Sequence, residues 1–328
     1  MRPLPALLFL AISAWTGRRL FTALLPDLDG RAQSPQSRHV GRWVISWPAA
    51  FLGGTLLVTW ATYLVADLMR DTISPMAVAN GIVMSVLGVA LLISWLAEKN
   101  RIPERRLPLR KMDIAVGSLG LVLGTAIMIH TCRIEGDTLI LGRTAFGDLN
   151  IHLGMTRSFS FGENFPTGYM AYAGNDIRYH FMFYFLVGNL EFLGLPLDWA
   201  INLPSILAFT SVLLLLHAAG TVIGRDARVG LVTVLFFLMR SSPAAFVYIS
   251  QLPGGVVDKI SALFQTRKFI GLTTHETWGI WNLNTYAVER HFGFAFGLVL
   301  IALIYLVRVT GLDSGAPVLR HRRESSPS

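Results

Sequence analysis

Six apolar runs dominate this chain of 328 residues, near 44–67, 76–97, 112–131, 200–223, 229–249 and 291–309. Each approaches the ~20 residues that an α-helix needs to cross the hydrocarbon of a bilayer, where every backbone N–H and C=O has to find its partner within the protein. A helical bundle meets both demands, and no break in composition marks a second, water-soluble domain. With 53% hydrophobic residues, 15% charged residues and a mean hydropathy of +0.53, the chain reads as all-α. The expected architecture is a polytopic transmembrane helical bundle of about 6–8 membrane segments. Two segments leave the number open. Residues 4–15 are apolar but are cut short by Arg18 and Arg19, so they form a brief first span or a signal-anchor-like start, with no small-residue cleavage site after them. Phe181 to Leu195 is interrupted by Asn189 and Glu191 and closed by Pro196, which suits a juxtamembrane or re-entrant helix better than a full span.

Charge orients the bundle. Lys99, Arg101, Arg105, Arg106, Arg110 and Lys111 crowd one short break, which the positive-inside rule assigns to the cytoplasm. Gly147 to His180 then faces outward as part of a large extracytoplasmic loop, 132–180. Arg225 and Arg228 mark the next cytoplasmic break, and Arg308, Arg320, Arg322 and Arg323 place the tail on the same side. This parity holds only if 181–195 does not cross, and it turns a second loop, 250–290, outward as well. The chain thus divides into N-terminal helices with a basic loop (1–111), a core with the two outer loops (112–310) and a polar tail expected to be disordered (311–328). The net charge of +8 is spent on orientation and on membrane lipids, because no basic stripe with interleaved aromatics exists for nucleic acid. Cys132 is the sole cysteine, which excludes an intramolecular disulfide, a thiolate zinc site and an iron–sulfur cluster built from this chain alone. Walker, HExxH and GxSxG motifs are absent.

The first outer loop reads GDLNIHLGMTRSFSFGENFPTGYMAYAGNDIRYH from Gly147 to His180. Asp148 and His152 stand four residues apart, and a helix over 150–159 puts them on one face, where a carboxylate and an imidazole can move a proton or hold a divalent cation. Asp148 can equally cap that helix. Glu163, in a turn-rich GENFP, is a second carboxylate or a solvated loop residue. Arg178 beside His180 suits a bidentate clamp on phosphate, whereas Tyr179 fits an interfacial aromatic belt. In the second loop, Lys259, Arg267 and Lys268 lie near the start, and Glu289, Arg290 and His291 cluster at the end, either paired with one another and headgroups or bound to a lipid phosphate. Trp278, Trp281, Asn282 and Asn284 between them could line a sugar site or anchor the interface. Arg240 falls ~15 Å along a helix that starts at Gly230, a costly depth unless it faces a cavity or Pro243 breaks the helix and lets it reach the interface. His130 and His217 read as packing or hydrogen-bonded residues.

The order GDLNIHL, GENFP, AGNDIRYHFMFYF resembles the GT-C superfamily of polytopic membrane glycosyltransferases, above all bacterial members related to the dolichol-phosphate-mannose and polyprenyl-sugar transferases. RYHFMFYF takes the place of an aromatic-rich motif that follows the loop in a group of these proteins. The resemblance covers roughly residues 112–310 and implies a multi-pass protein of the bacterial plasma membrane that transfers a sugar from a polyprenyl-phosphate-linked donor to an extracytoplasmic acceptor. It gives Asp148 the role of catalytic base or ligand of a divalent metal ion, with His152 and Glu163 in support. Arg178, His180, Arg240, Arg290 and His291 become the substrate-binding set. Many members carry two adjacent acidic residues where this chain has Gly147-Asp148-Leu149. Two other readings compete: a transporter or flippase for a lipid-linked or anionic substrate, and an inactive or partial GT-C scaffold, since members are commonly longer.

Overall fold

The computed structural model describes residues 3–25, 42–98, 110–142, 146–172, 174–239, 244–265 and 281–310. Four long helices come first: Leu4–Leu24 (α1), Arg42–Leu68 (α2), Pro75–Glu98 (α3) and Lys111–Thr131 (α4). A two-stranded antiparallel hairpin follows, Cys132–Glu135 (β1) with Thr138–Leu141 (β2), turned at Gly136, whose φ of 60° suits a residue without a side chain. Then come Phe146–Ser160 (α5), Met182–Phe192 (α6) and Leu197–Gly224 (α7). Ala227–Met239 (α8), Ala244–Gln251 (α9), Val256–Gln265 (α10), Trp281–Val288 (α11) and Phe292–Val309 (α12) complete the order. Six of these, α1, α2, α3, α4, α7 and α12, are long and apolar enough to cross a membrane.

Two expectations change. The hairpin adds strand to an architecture read as all-α. The first helix does not stop at residue 15: α1 continues through Arg18 and Arg19 for 21 residues, because arginines in the last two turns can carry their charge along their stems to the membrane surface. The described parts of the run 229–249 are helical, α8 to Met239 and α9 from Ala244. Arg240, between them, lies outside the described residues, as do Arg267, Lys268 and Trp278.

Helix α7 is the axis. It is apolar on every side, which is the pattern of a helix surrounded by protein, and α2, α4, α8 and α12 all lie against it. Its hydroxyls are absorbed by its own ladder: Ser205, Thr210, Ser211 and Thr221 each donate to the carbonyl four residues back, at 2.6–2.8 Å.

The ends of the helices fix which loops meet. At one end, Asp198 in the first turn of α7 accepts a hydrogen bond from the Ile134 amide of the hairpin (3.1 Å), and Asn202 donates to the Cys132 carbonyl (2.7 Å). Tyr63 near the end of α2 meets Thr167 of the following loop at 2.9 Å. At the opposite end, Asp113 in the first turn of α4 reaches His217, toward the end of α7, at 3.1 Å. The chain therefore enters α5–α6 and leaves it at the hairpin end. Helix α6, ~16 Å long, is wedged there with Phe183 to Leu190 all buried. The polar residues that interrupt it are satisfied: Asn189 and Asn80 of α3 exchange two hydrogen bonds (2.6 and 3.1 Å), and Glu191 takes Arg157 (3.0 Å) and the Ser160 hydroxyl (2.7 Å).

Candidate functional site

Helix α5 exists because Leu149, His152, Leu153, Thr156, Phe159 and Ser160 fall on one buried stripe at spacings of three and four. Asp148 occupies its first turn, exposed, one turn before His152. His152 is 1% exposed and stacks on Tyr184 of α6, centroids 4.2 Å apart. The loop that follows α5 is stapled by Asn164, whose side chain donates to the Gly168 carbonyl (2.8 Å) and accepts from the Gly168 amide (2.9 Å). A bridge between Gly168 and Asp176 then turns the chain back toward α5. Tyr179 thereby reaches His152, hydroxyl to Nε2 at 3.2 Å, and His180 lies beside it.

The second contribution comes from residues more than a hundred positions later. Between α11 and α12 the chain presents Glu289 and His291 to the same place. Glu289 Oε2 lies 3.9 Å from His152 Nε2, 3.9 Å from His180 Nε2 and 3.5 Å from His291 Nδ1. His291 also meets the Tyr184 hydroxyl at 3.3 Å and packs on His180 with centroids 3.8 Å apart. Among the described residues, Glu289 Oε2 and His152 Nδ1 are buried without a hydrogen-bond partner. One ligand atom from each of His152, His180 and Glu289 falls within 4.8 Å of the others, a group among the described residues that could hold a metal ion.

Electrostatics follow from burial and crowding. Burial, and then the neighbouring His180, lowers the His152 pKa to about 4. Burial, followed by His180 and His152, lowers that of His291 to about 3, and burial lowers that of His180. Burial, with the Asp148 carboxylate nearby, pushes Glu289 above the ordinary carboxylate value. The imidazoles are thus neutral near pH 7, with lone pairs available. Beside them an open cavity of about 480 Å³ is lined by Tyr169, Tyr172, Asn175, Asp176, Arg178 and Tyr179. Tyr179 belongs to both the cavity and the cluster.

The structure thus gathers His152, His180 and His291 around Glu289, leaves Asp148 one turn before His152, and puts Arg178 in the adjoining cavity. Glu163 is elsewhere: it follows the far end of α5, ~18 Å of helix from Asp148, in an exposed turn with its backbone at φ 44°. Arg290 is also differently placed. Its guanidinium is 1% exposed and donates to Ala287 O (2.8 Å), Asn202 Oδ1 (3.0 Å), Met128 O (3.4 Å) and Thr131 Oγ1 (2.7 Å). It braces α4 and α7 to the start of α12, and Glu289 and His291, on either side of it, take the outward direction. Sequence reasoning recognised Glu289 only as a member of a charged cluster and left Tyr184 unremarked; the signal for Glu289 was its place between two other ionisable residues at the mouth of an apolar run. The chain matches no family model, no curated protein and no solved structure.

Proposed function

We propose that this protein is an integral membrane glycosyltransferase of the GT-C type, transferring a sugar from a polyprenyl-phosphate donor to an acceptor hydroxyl at the hairpin end of the bundle. The observation that carries the reading is the sharing of Tyr179: an open cavity with three tyrosines and Arg178 adjoins, through this one side chain, a carboxylate and histidine cluster that lies one helical turn from Asp148. Tyrosine rings suit sugar faces, and an arginine at the mouth suits a phosphate. In the reaction Asp148 takes the acceptor proton as the acceptor oxygen bonds to the anomeric carbon. The bond from that carbon to phosphate breaks, and polyprenyl phosphate leaves with the electron pair, its charge met by Arg178.

Sidedness is part of the proposal. The chain that joins α3 to α4 at the opposite end carries Lys99, Arg101, Arg105, Arg106, Arg110 and Lys111, and Arg225, Arg228 and Arg308 share that end, whereas the arginines of the hairpin end, Arg70, Arg133, Arg157, Arg178 and Arg290, are fewer and scattered. The positive-inside rule then sets the hairpin end outside the cytoplasm. Transport is less well supported, because the buried ionisable pair Asp113–His217 lies only ~10 Å from the end of α7 rather than at mid-depth.

Reconstitution with polyprenyl-phosphate sugars tests the function. Transfer should fall by about 10²-fold or more in Asp148→Asn, and transfer indifferent to that change removes Asp148 from the mechanism.

A further inference from the structure

We infer that His152, His180 and Glu289 form a binding site for one divalent transition-metal ion of the zinc type. The use of this ion in glycosyl transfer rests on the reading above; its binding does not.

The donor set selects the class of ion. Two imidazoles and one carboxylate are the ligands of zinc and its first-row neighbours, whereas magnesium and calcium call for oxygen. The number of ligands selects the kind of site. Structural zinc is closed by four protein ligands, while three leave a coordination position for water or a substrate oxygen. The geometry requires the ligands to draw together. Ligand atoms sharing a tetrahedral ion at ~2.1 Å stand about 3.4 Å apart, whereas the two imidazole to Glu289 distances are 3.9 Å and the three atoms lie within 4.8 Å of one another. His152 is held in α5 and Glu289 between α11 and α12, and His180, exposed on its loop, is the ligand with room to close.

One buried ligand atom at this spot needs a partner. Glu289 Oε2 is surrounded by three histidine nitrogens, yet the described residues give it no hydrogen bond. His152, 1% exposed, turns Nε2 toward Glu289, in a contact of 3.2 Å with Tyr179 that an ion would replace. Around the three ligands is the support such sites use. His291 Nδ1, 3.5 Å from Glu289 and 3.3 Å from the Tyr184 hydroxyl, is a positioning residue that fixes the carboxylate, and Tyr184 fixes the plane of His152 by stacking. Asp148, one turn before His152, adds negative charge without joining the cluster, and the open position faces Tyr179 and the cavity beyond it.

The test uses the full chain in detergent, stripped with a chelator and titrated with zinc, or with cobalt(II) as a visible probe of coordination. The expected result is about one ion per chain, with the intense d–d absorption of a four-coordinate site, and affinity lower by about 100-fold or more in both His180→Ala and Glu289→Gln. His130→Ala, at the end of α4, should bind as the parent does. Absence of binding, binding undiminished in both variants, or preference for magnesium over zinc would each overturn the site. Should Glu289→Gln fail to fold, the exposed His180 decides alone. Zinc binding without sugar transfer by the loaded protein sinks the glycosyltransferase reading and keeps the ion site. Transfer by chain that binds no zinc does the reverse.

Discussion

Arg290 and Cys132 show how far the surroundings of a residue decide what it can do. An arginine at the mouth of a membrane helix invites a phosphate, but Arg290 is sealed among Asn202, Thr131 and two backbone carbonyls, and burial lowers its pKa only to about 10, so the charge persists at neutral pH. Arg290→Met would leave those acceptors unpaired, and a melting experiment in detergent should show a loss of about 2–4 kcal/mol. A phosphate clamp predicts the opposite split, unchanged melting with a raised KM for donor. Cys132 is fully buried beside this brace, and burial, offset by Arg290 and reinforced by Asp198, pushes its thiol up to about 11. The sign follows directly. The folded state holds this proton more tightly than the unfolded chain does, so its contribution is complete below pH ~8.5–9 and is lost as pH rises toward 11. Two pKa units correspond to about 2–3 kcal/mol, and Cys132→Ala should flatten the alkaline limb of stability between pH 9 and 11. At pH 8 the native thiol should resist alkylation until the protein is unfolded.

At the scale of elements, sequence shows which runs are helical but not how closely two of them approach. Helices α1 and α2 meet through Ser13 and Gly17 on one side and Ala50 and Gly54 on the other, a small-residue seam four residues apart on each helix. A Cβ on Gly54 would fall on the Ser13 carbonyl oxygen, and one on Gly17 on that of Ala50. Gly54→Val should therefore cost about 1–3 kcal/mol by prising the helices apart. Gly81→Ala in α3, where an added Cβ meets nothing within 4 Å, should be neutral or stabilising by about 0.5–1 kcal/mol. Thermal melting of the two variants checks the contrast. The same distinction governs what could be read in advance. The helical face shared by Asp148 and His152 was legible because a period of 3.6 is local, and so was the run of each long helix. That His152 would meet Glu289, 137 positions on, was not, because hydrophobic pattern reports which face is buried and not against what. Nor was it legible that Arg18 and Arg19 would continue a helix, since a hydropathy window counts a charge at Cα rather than at the end of its stem.

For the whole molecule, the decisive relation is the one between the two ends of α7. Its first turn is tied to the hairpin through Asp198 and its last residues lie beside the start of α4 through His217, so the helix joins the cluster's end of the bundle to the other. Helix α12 starts beside the cluster at Phe292 and lies along α7, which means that the chain between Gly224 and His291 has to return from the opposite end. Helix α8, ~20 Å long, packs on α7 and begins that return. Residues on either side of α7 must then report opposite compartments, and the single native cysteine makes this measurable. In a Cys132→Ala background, a membrane-impermeant maleimide should label Tyr172→Cys, exposed near the cavity, on intact cells, and should label Arg228→Cys, exposed at the start of α8, only after permeabilisation. The reverse pattern would turn the bundle over and put the cluster in the cytoplasm, ruling out an extracytoplasmic acceptor. Labelling of both from one side would contradict a crossing by α7 itself, because its 28 residues, ~42 Å of helix, span more than the hydrocarbon thickness between the two sites.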